Sequence, residues 1–223
     1  MNQPRVIAIE HLTQSSDDSA LESLLNEALS VLRSGQLMVL PINTSYVIAV
    51  DAENSSPQRE VRRLRQAQES FMPTFIFGDM DALAEMCRVD ELSDAARELL
   101  IAGELSVVLP TLQGNAFVED DMDSVLVIMP GNPVVRRLLE RFGVCMISAA
   151  GIAGSGPAID IHAAIKEFGI FVDLYWDIGV LSGVATTIID LRGSTPKITR
   201  RGHLSHDSLI TTFPGLNLEE EKD

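Results

Sequence analysis

The chain has 223 residues, 46% of them hydrophobic, with 32 acidic against 17 basic side chains and a formal charge of −15 at pH 7. That length and apolar content suit one globular core, the acidity works against approach to a polyanion such as RNA, and no apolar run nears the ~20 residues that cross a bilayer. The opening MNQPRVIAIEHLTQ is a poor secretory signal, and Cys87 and Cys145 stand among apolar neighbours, so the expectation is a cytoplasmic protein, without membrane contact, holding two buried thiols.

In chain order, Ser16 or Asp17 caps a helix in which Leu21, Leu24, Leu25, Ala28, Leu29 and Leu32 recur at helical spacing, with Gly35 past its end. A buried strand comes next, at residues 37–40. Pro41 ends its ladder, since proline has no N–H to give, and Asn43, Thr44 and Ser45 form a polar loop before apolar residues resume. Such a loop is either an ordinary turn or the seat of a small polar ligand. Ser56 followed by Pro57 starts a second helix, Ser93 a third, and Asn132 with Pro133 a fourth that Gly143 ends. Strands are expected at residues 74–77, 105–109, 125–129, 145–149, 171–175 and 187–191. The mixture predicts an α/β layered domain over residues 16–210, between an N-terminal segment, 1–15, and an acidic tail, 211–223.

Basic residues fall in three groups: Arg59, Arg62, Arg63 and Arg65; Arg136, Arg137 and Arg141; and Arg192, Lys197, Arg200 and Arg201. They are either solvated faces paired with the abundant carboxylates or, in part, the lining of one cavity that holds phosphate. RNA binding would need the first and third groups to share a face. His203 and His206 have i, i+3 spacing but no third metal ligand in view. No GxxxxGK[ST] loop occurs, and no GxGxxG follows a strand. The acidic run at residues 119–123 reads as a solvated loop, and Tyr175 and Trp176 read as aromatic packing.

Taken in order, LPINTSYVIAVDA, RRLRQAQESFMPTFIF, AGELSVVLP, VIMPGNP, ISAAGIAGSGP and ATTIIDLRGSTPKITRRG resemble the YrdC family, whose members include synthases of threonylcarbamoyl-AMP for tRNA modification, and within it the YciO branch. LPINTSYVIAVDA sets Pro41, Thr44, Tyr46, Ala49 and Asp51 where a PTDTVYGLA-like motif expects them, while Ile42, Asn43 and Val47 depart. RRLRQAQESFMPTFIF stands for a KxRP motif, and AGELSVVLP for PGPLTLVL, with Gly103, Leu105 and Ser106 matching or nearly so. VIMPGNP stands for an RVP segment, ISAAGIAGSGP for a SAN-plus-glycine loop, and ATTIIDLRGSTPKITRRG for an STxVDL strand with a closing RxG turn. The likeness runs from residue 21 to residue 209.

The resemblance implies an α/β fold with a twisted mixed sheet around a large concave cavity. It also implies a reaction: the amine of threonine captures bicarbonate as a carbamate, which attacks the α-phosphate of ATP and expels pyrophosphate. ATP with magnesium would then be a substrate, with no tightly bound cofactor and no protein metal site. Such chemistry depends on positioning and on cationic donors. Carried over by motif, Arg65 and Arg200 are the implied catalytic cations, and Asn43, Thr44, Tyr46, Ser106, Ser148, Gly151, Thr186 and Thr187 the implied nucleotide- or substrate-binding residues.

The match is incomplete. In one register Arg65 takes the lysine's place and Ala67 the arginine's; in the other the pair is Gln66 and Gln68. Ile128 replaces the arginine of RVP and Ala150 the asparagine of SAN, although Ser148, Ala149 and the glycines at 151, 154 and 156 remain. A charge-assisted hydrogen bond is worth ~1.5–3 kcal/mol, so losing two costs ~3–6 kcal/mol, roughly a hundredfold to ten-thousandfold in rate. The expectation is a cavity for a nucleotide, an amino acid or RNA with synthase activity weakened or lost; the alternative is an active, divergent L-threonylcarbamoyladenylate synthase.

Overall fold

The computed structural model describes residues 4–13, 18–64, 72–112, 123–151 and 156–216. In chain order it contains β1 (Arg5–Ala8), a 3-10 turn (Glu10–Thr13), α1 (Asp18–Arg33), β2 (Met38–Pro41), β3 (Tyr46–Asp51), α2 (Ser55–Leu64), β4 (Thr74–Ile76), α3 (Met80–Met86) and α4 (Asp94–Ile101). It continues with β5 (Leu105–Pro110), β6 (Ser124–Ile128), α5 (Pro133–Phe142), β7 (Cys145–Ala149), α6 (Ile161–Phe168), β8 (Leu174–Asp177), β9 (Thr187–Asp190), β10 (Lys197–Arg200) and α7 (His206–Thr212). The strands form one ten-stranded sheet in the order β1-β8-β2-β3-β7-β4-β6-β5-β9-β10. Its ladders are mixed: β2, β3, β7 and β4 run antiparallel in succession, whereas β4/β6 and β5/β9 are parallel.

Side chains alternate between the two faces of a strand, and here both faces are buried. Met38, Leu40, Val47 and Ala49 join a cluster completed by Leu25, Ala28 and Leu32 of α1 and by Val135, Leu138 and Leu139 of α5. Their neighbours Val39, Ile48 and Val50 turn to the other side, against Val61 of α2, Leu83 of α3, Leu100 of α4, Ala164 of α6 and Leu209 of α7. Tyr175 and Trp176, adjacent in β8, serve one cluster each. Neither the Tyr175 hydroxyl nor Trp176 Nε1 finds a partner among the described residues.

Local signals set most of the boundaries. Ser93 and Asn132 cap α4 and α5 through their side-chain oxygens, and Gly143 ends α5 at φ +105. The second helix begins one residue earlier than expected, at Ser55, because Asn54 Oδ1 accepts the Ser56 N–H at 3.1 Å. Pro41 is the last residue of β2, opposite Tyr46, so the ladder includes the proline where it was expected to stop short of it. The segment at 171–175 starts its strand only at Leu174: the Phe171 N–H bonds back to the Phe168 carbonyl at 2.8 Å, wrapping the end of α6 and leaving Ile170 74% exposed. Strands β1, β3 and β10 and helices α3, α6 and α7 were not expected, although Asp79, Asp160 and Ser205 cap those helices in the usual way. The caps expected at Ser16 and Asp17 lie outside the described residues, as do residues 119–122 of the acidic run and the tail from 217.

The basic groups mostly find protein partners. Arg63 pairs with Glu60, Arg141 bonds Glu22 across α1 and α5 at 2.7 Å, and Arg192 bonds Asp190 at 2.7 Å. Arg136 Nη2 caps the carbonyls of Ile101 and Pro130 at 2.6 and 3.0 Å. None of the described helices is long and apolar enough to cross a membrane.

Both cysteines are free and buried. Burial pushes the Cys87 thiol up to about 12, and burial together with Asp51 raises Cys145 further. Neither thiol is expected to react with a colorimetric disulfide reagent at pH 8 until denaturant is added, when both react. Because an unfolded thiol ionises near 9.0 and the folded Cys87 only near 12, their contribution to stability holds below pH 9 and falls as pH rises through that window; denaturant midpoints at pH 8 and pH 10 measure it.

Candidate functional site

A cavity of about 260 Å³ opens where the β2–β3 loop meets the end of β7, the start of β9 and the end of β10. Its floor is sheet. Ile147, Thr74 and Leu126 stand opposite one another in register on β7, β4 and β6, all lining it, with Val47 and Ile128 beside them. Ile128 and Ile147 also belong to the apolar cluster under α1 and α5, so the cavity begins where that helical cover stops.

The polar wall comprises Thr44, Ser45, Ser148, Thr186 and Arg200. Thr44 is held by its backbone, whose carbonyl accepts the Gly183 N–H at 2.8 Å and so ties the β2–β3 loop to the segment before β9. Ser148 lies near the end of β7, paired with Ile48 of β3. Arg200 is an exposed residue whose head group bends back onto Thr186: Nε donates to the Thr186 carbonyl and Nη2 to Thr186 Oγ1, each at 3.1 Å. Burial of that guanidinium lowers its pKa from the usual arginine value. Behind Thr186, Ser106 is fully enclosed, and the two hydroxyl oxygens lie 2.8 Å apart.

Other residues implied by the resemblance stand elsewhere. Tyr46 is fully buried and away from the cavity lining; its hydroxyl shares one proton between Asp177 Oδ1 at 2.9 Å and the Gly179 carbonyl at 2.7 Å, and accepts the Ile178 N–H. Burial, with a smaller contribution from Asp177, raises its pKa. Asn43 is a brace: Nδ2 donates to the Met129 carbonyl at 3.2 Å and Oδ1 accepts the Gly131 N–H at 2.6 Å. Gly103, at φ +78, packs so closely on that amide that a Cβ would come within 2.4 Å of Oδ1. Thr187 is wholly buried and accepts the Gly202 N–H at 3.2 Å. Gly151 is packed against Gly156, whose carbonyl oxygen would lie 2.2 Å from an added Cβ. Arg65, Ala67, Gln66, Gln68 and Gly154 lie outside the described residues.

A wider cleft of about 620 Å³ adjoins the cavity and shares Ile42 and Thr44 with it. Asn43, Gly103, Gly131 and His203 line this cleft. Among the described residues, Arg200 is the one arginine or lysine lining either space. The floor residues Thr74, Leu126 and Ile147 were not singled out in sequence, because no motif marks them; only cross-strand register brings them together.

Chemically, the described residues of the cavity offer hydroxyls and one guanidinium on one wall against a floor that is aliphatic apart from Thr74. Such a space suits a small ligand with an anionic or strongly accepting head and an apolar body. Tyr46→Phe is expected to lower the unfolding free energy by ~1–3 kcal/mol, since the part-buried Ile178 N–H loses its acceptor, and to leave ligand binding unchanged; denaturant unfolding and calorimetry check the two halves.

Comparison with known proteins places these features. The model of the Sua5/YciO/YrdC family, described as telomere recombination, matches residues 30–202. A Mycobacterium tuberculosis protein named "Putative threonylcarbamoyl-AMP synthase" is 32% identical over 189 residues, spanning 82% of this chain and 85% of that protein. Among solved structures, P. abyssi Sua5 complexed with L-threonine superposes with a TM-score of 0.80 at 19% identity, over 97% of this chain and 63% of Sua5. E. coli YciO superposes with a TM-score of 0.75 at 22% identity, over 96% of this chain and all of YciO (100%). The two superpositions establish the fold, and the present chain spans about three fifths of the Sua5 chain.

Proposed function

Because the chain belongs to the Sua5/YciO/YrdC family and is related to threonylcarbamoyl-AMP synthases, we propose that it binds a small ligand of the synthase type, a threonine-like amino acid or a nucleotide, and runs the synthase reaction weakly or not at all. The observation that carries this reading is the lining of the cavity. Arg200 stands there as the one arginine or lysine among the described residues, and Ile128 occupies the place where the resemblance implies an arginine. Triphosphate chemistry needs several donors aimed at developing charge, and an aliphatic side chain supplies none. An amino acid needs only one anionic contact, which Arg200 with Thr186 can give. The complex of Sua5 with L-threonine supports an amino-acid-sized ligand.

A second reading, an active divergent synthase, draws on the convergence of Thr44, Ser148, Thr186 and Arg200 on one cavity. In it Arg65 would supply the further cation on the phosphates of magnesium ATP. RNA is a weaker candidate. The formal charge of −15 opposes it, and α2 with Arg59 and Arg63 packs on β3, five places along the sheet from β9 with Arg192 beside it.

Calorimetry with ATP and magnesium, with and without L-threonine and bicarbonate, followed by a pyrophosphate assay of the same mixtures, separates these readings. The expected result is heat on adding threonine or ATP, and pyrophosphate release roughly a hundredfold or more below that of a full synthase. Release at the full synthase rate would establish the second reading, and absence of heat from every mixture would sink both. Arg200→Ala is expected to weaken whichever ligand binds by roughly 10- to 150-fold, the value of one charge-assisted contact.

A further inference from the structure

The hydrogen bonds around Thr186 fix which way its proton points. A hydroxyl has one proton to donate and two lone pairs to accept with. Ser106, with none of its surface exposed, has Thr186 Oγ1 as the partner of its hydroxyl among the described residues, at 2.8 Å. If Thr186 gave its proton to Ser106, the Ser106 proton would be buried without an acceptor, which costs ~1–3 kcal/mol. Ser106 therefore donates. Arg200 Nη2, which can only donate, gives a second hydrogen bond to the same oxygen at 3.1 Å. Both lone pairs of Thr186 Oγ1 are then engaged, and its own O–H is left for the cavity that Thr186 lines.

We propose that Ser106 is a positioning residue that locks the Thr186 hydroxyl as a donor, so that Thr186 and Arg200 present a wall of donors selective for a ligand oxyanion, a carboxylate or a phosphate. The inference rests on the reading of this cavity as the ligand site. Ser106 is the cross-strand partner of Ile128, so the lock sits beside the position where an arginine is implied and an isoleucine stands. A wall that donates without accepting rejects ligand groups that are themselves donors, such as an amide N–H₂ or an ammonium, because two facing donors leave both unpaired. The same geometry explains why Ser106, implied by motif as a binding residue, is enclosed: it acts through Thr186.

Three variants and one spectroscopic measurement test this. With L-threonine as the carboxylate probe and magnesium ATP as the phosphate probe, Ser106→Ala is expected to weaken binding about tenfold (~1.4 kcal/mol) at a temperature well below its unfolding midpoint. Ser106→Thr, which keeps the hydroxyl, is expected to stay within about twofold of the parent, and Thr186→Val to lose at least as much as Ser106→Ala. The probe that responds identifies the oxyanion. Ser106→Ala with a lowered melting temperature and unchanged affinity would make the serine structural and overturn the proposal. If the parent protein binds neither probe, the proposed function fails on its own account. The lock is then decided by NMR of hydroxyl protons: slow solvent exchange at Ser106 with fast exchange at Thr186 upholds it, and the reverse pattern overturns it.

Discussion

The architecture depends on one requirement, that both faces of a ten-stranded sheet be kept from water with helices too few to cover one of them evenly. Ten strands at ~4.8 Å spacing span about 43 Å, whereas two helices of ~10 Å diameter side by side cover roughly half of that. On the face carrying α1 and α5, the apolar cluster therefore ends at Ile128 and Ile147. Beside those two side chains, between strand ends and loops, lies the cavity. The opposite face, served by five helices, is buried along its length with residues such as Phe75, Val107, Val127 and Ile189. A site at the ends of strands beside a change of cover is where α/β sheets commonly accept ligands.

Within the opening, the polar and apolar parts are segregated by element. The floor takes its side chains from the middle of the sheet and is aliphatic apart from Thr74, while the other hydroxyls come from the β2–β3 loop, the end of β7 and the segment entering β9. Arg200 reaches in from the last strand and is aimed by Thr186, itself backed by the enclosed Ser106. Two of the guanidinium's donors are engaged by Thr186. The remaining donors, together with the Thr186 O–H, are the site's resource for a ligand.

Tyr46, Asn43, Thr187 and Gly151 are each held by contacts within the fold. Tyr46 ties β3 to the turn after β8, Asn43 ties the β2–β3 loop to residues 129–131, and Thr187 holds the turn at Gly202. Each fixes the angle at which a neighbouring loop leaves the sheet. Thr44 sits between Asn43 and Tyr46, so the two braces determine where its hydroxyl stands.

The α/β class, the amphipathic α1, the caps at Ser93 and Asn132, the strand at Cys145–Ala149 and, through ordered motifs, the family were legible in the amino-acid sequence, because these signals are local: a period, a cap or a spacing is complete within a short stretch of chain. The sequence also marked Thr44, Ser148, Thr186 and Arg200, which do meet in one cavity. That Thr74, Leu126 and Ile147 form the floor, that Ser106 lies behind Thr186, and that Tyr46 faces away from the opening emerge from the folded chain alone. Those facts depend on strand register and on the face to which each strand turns, and both are set by pairings between residues far apart in the chain.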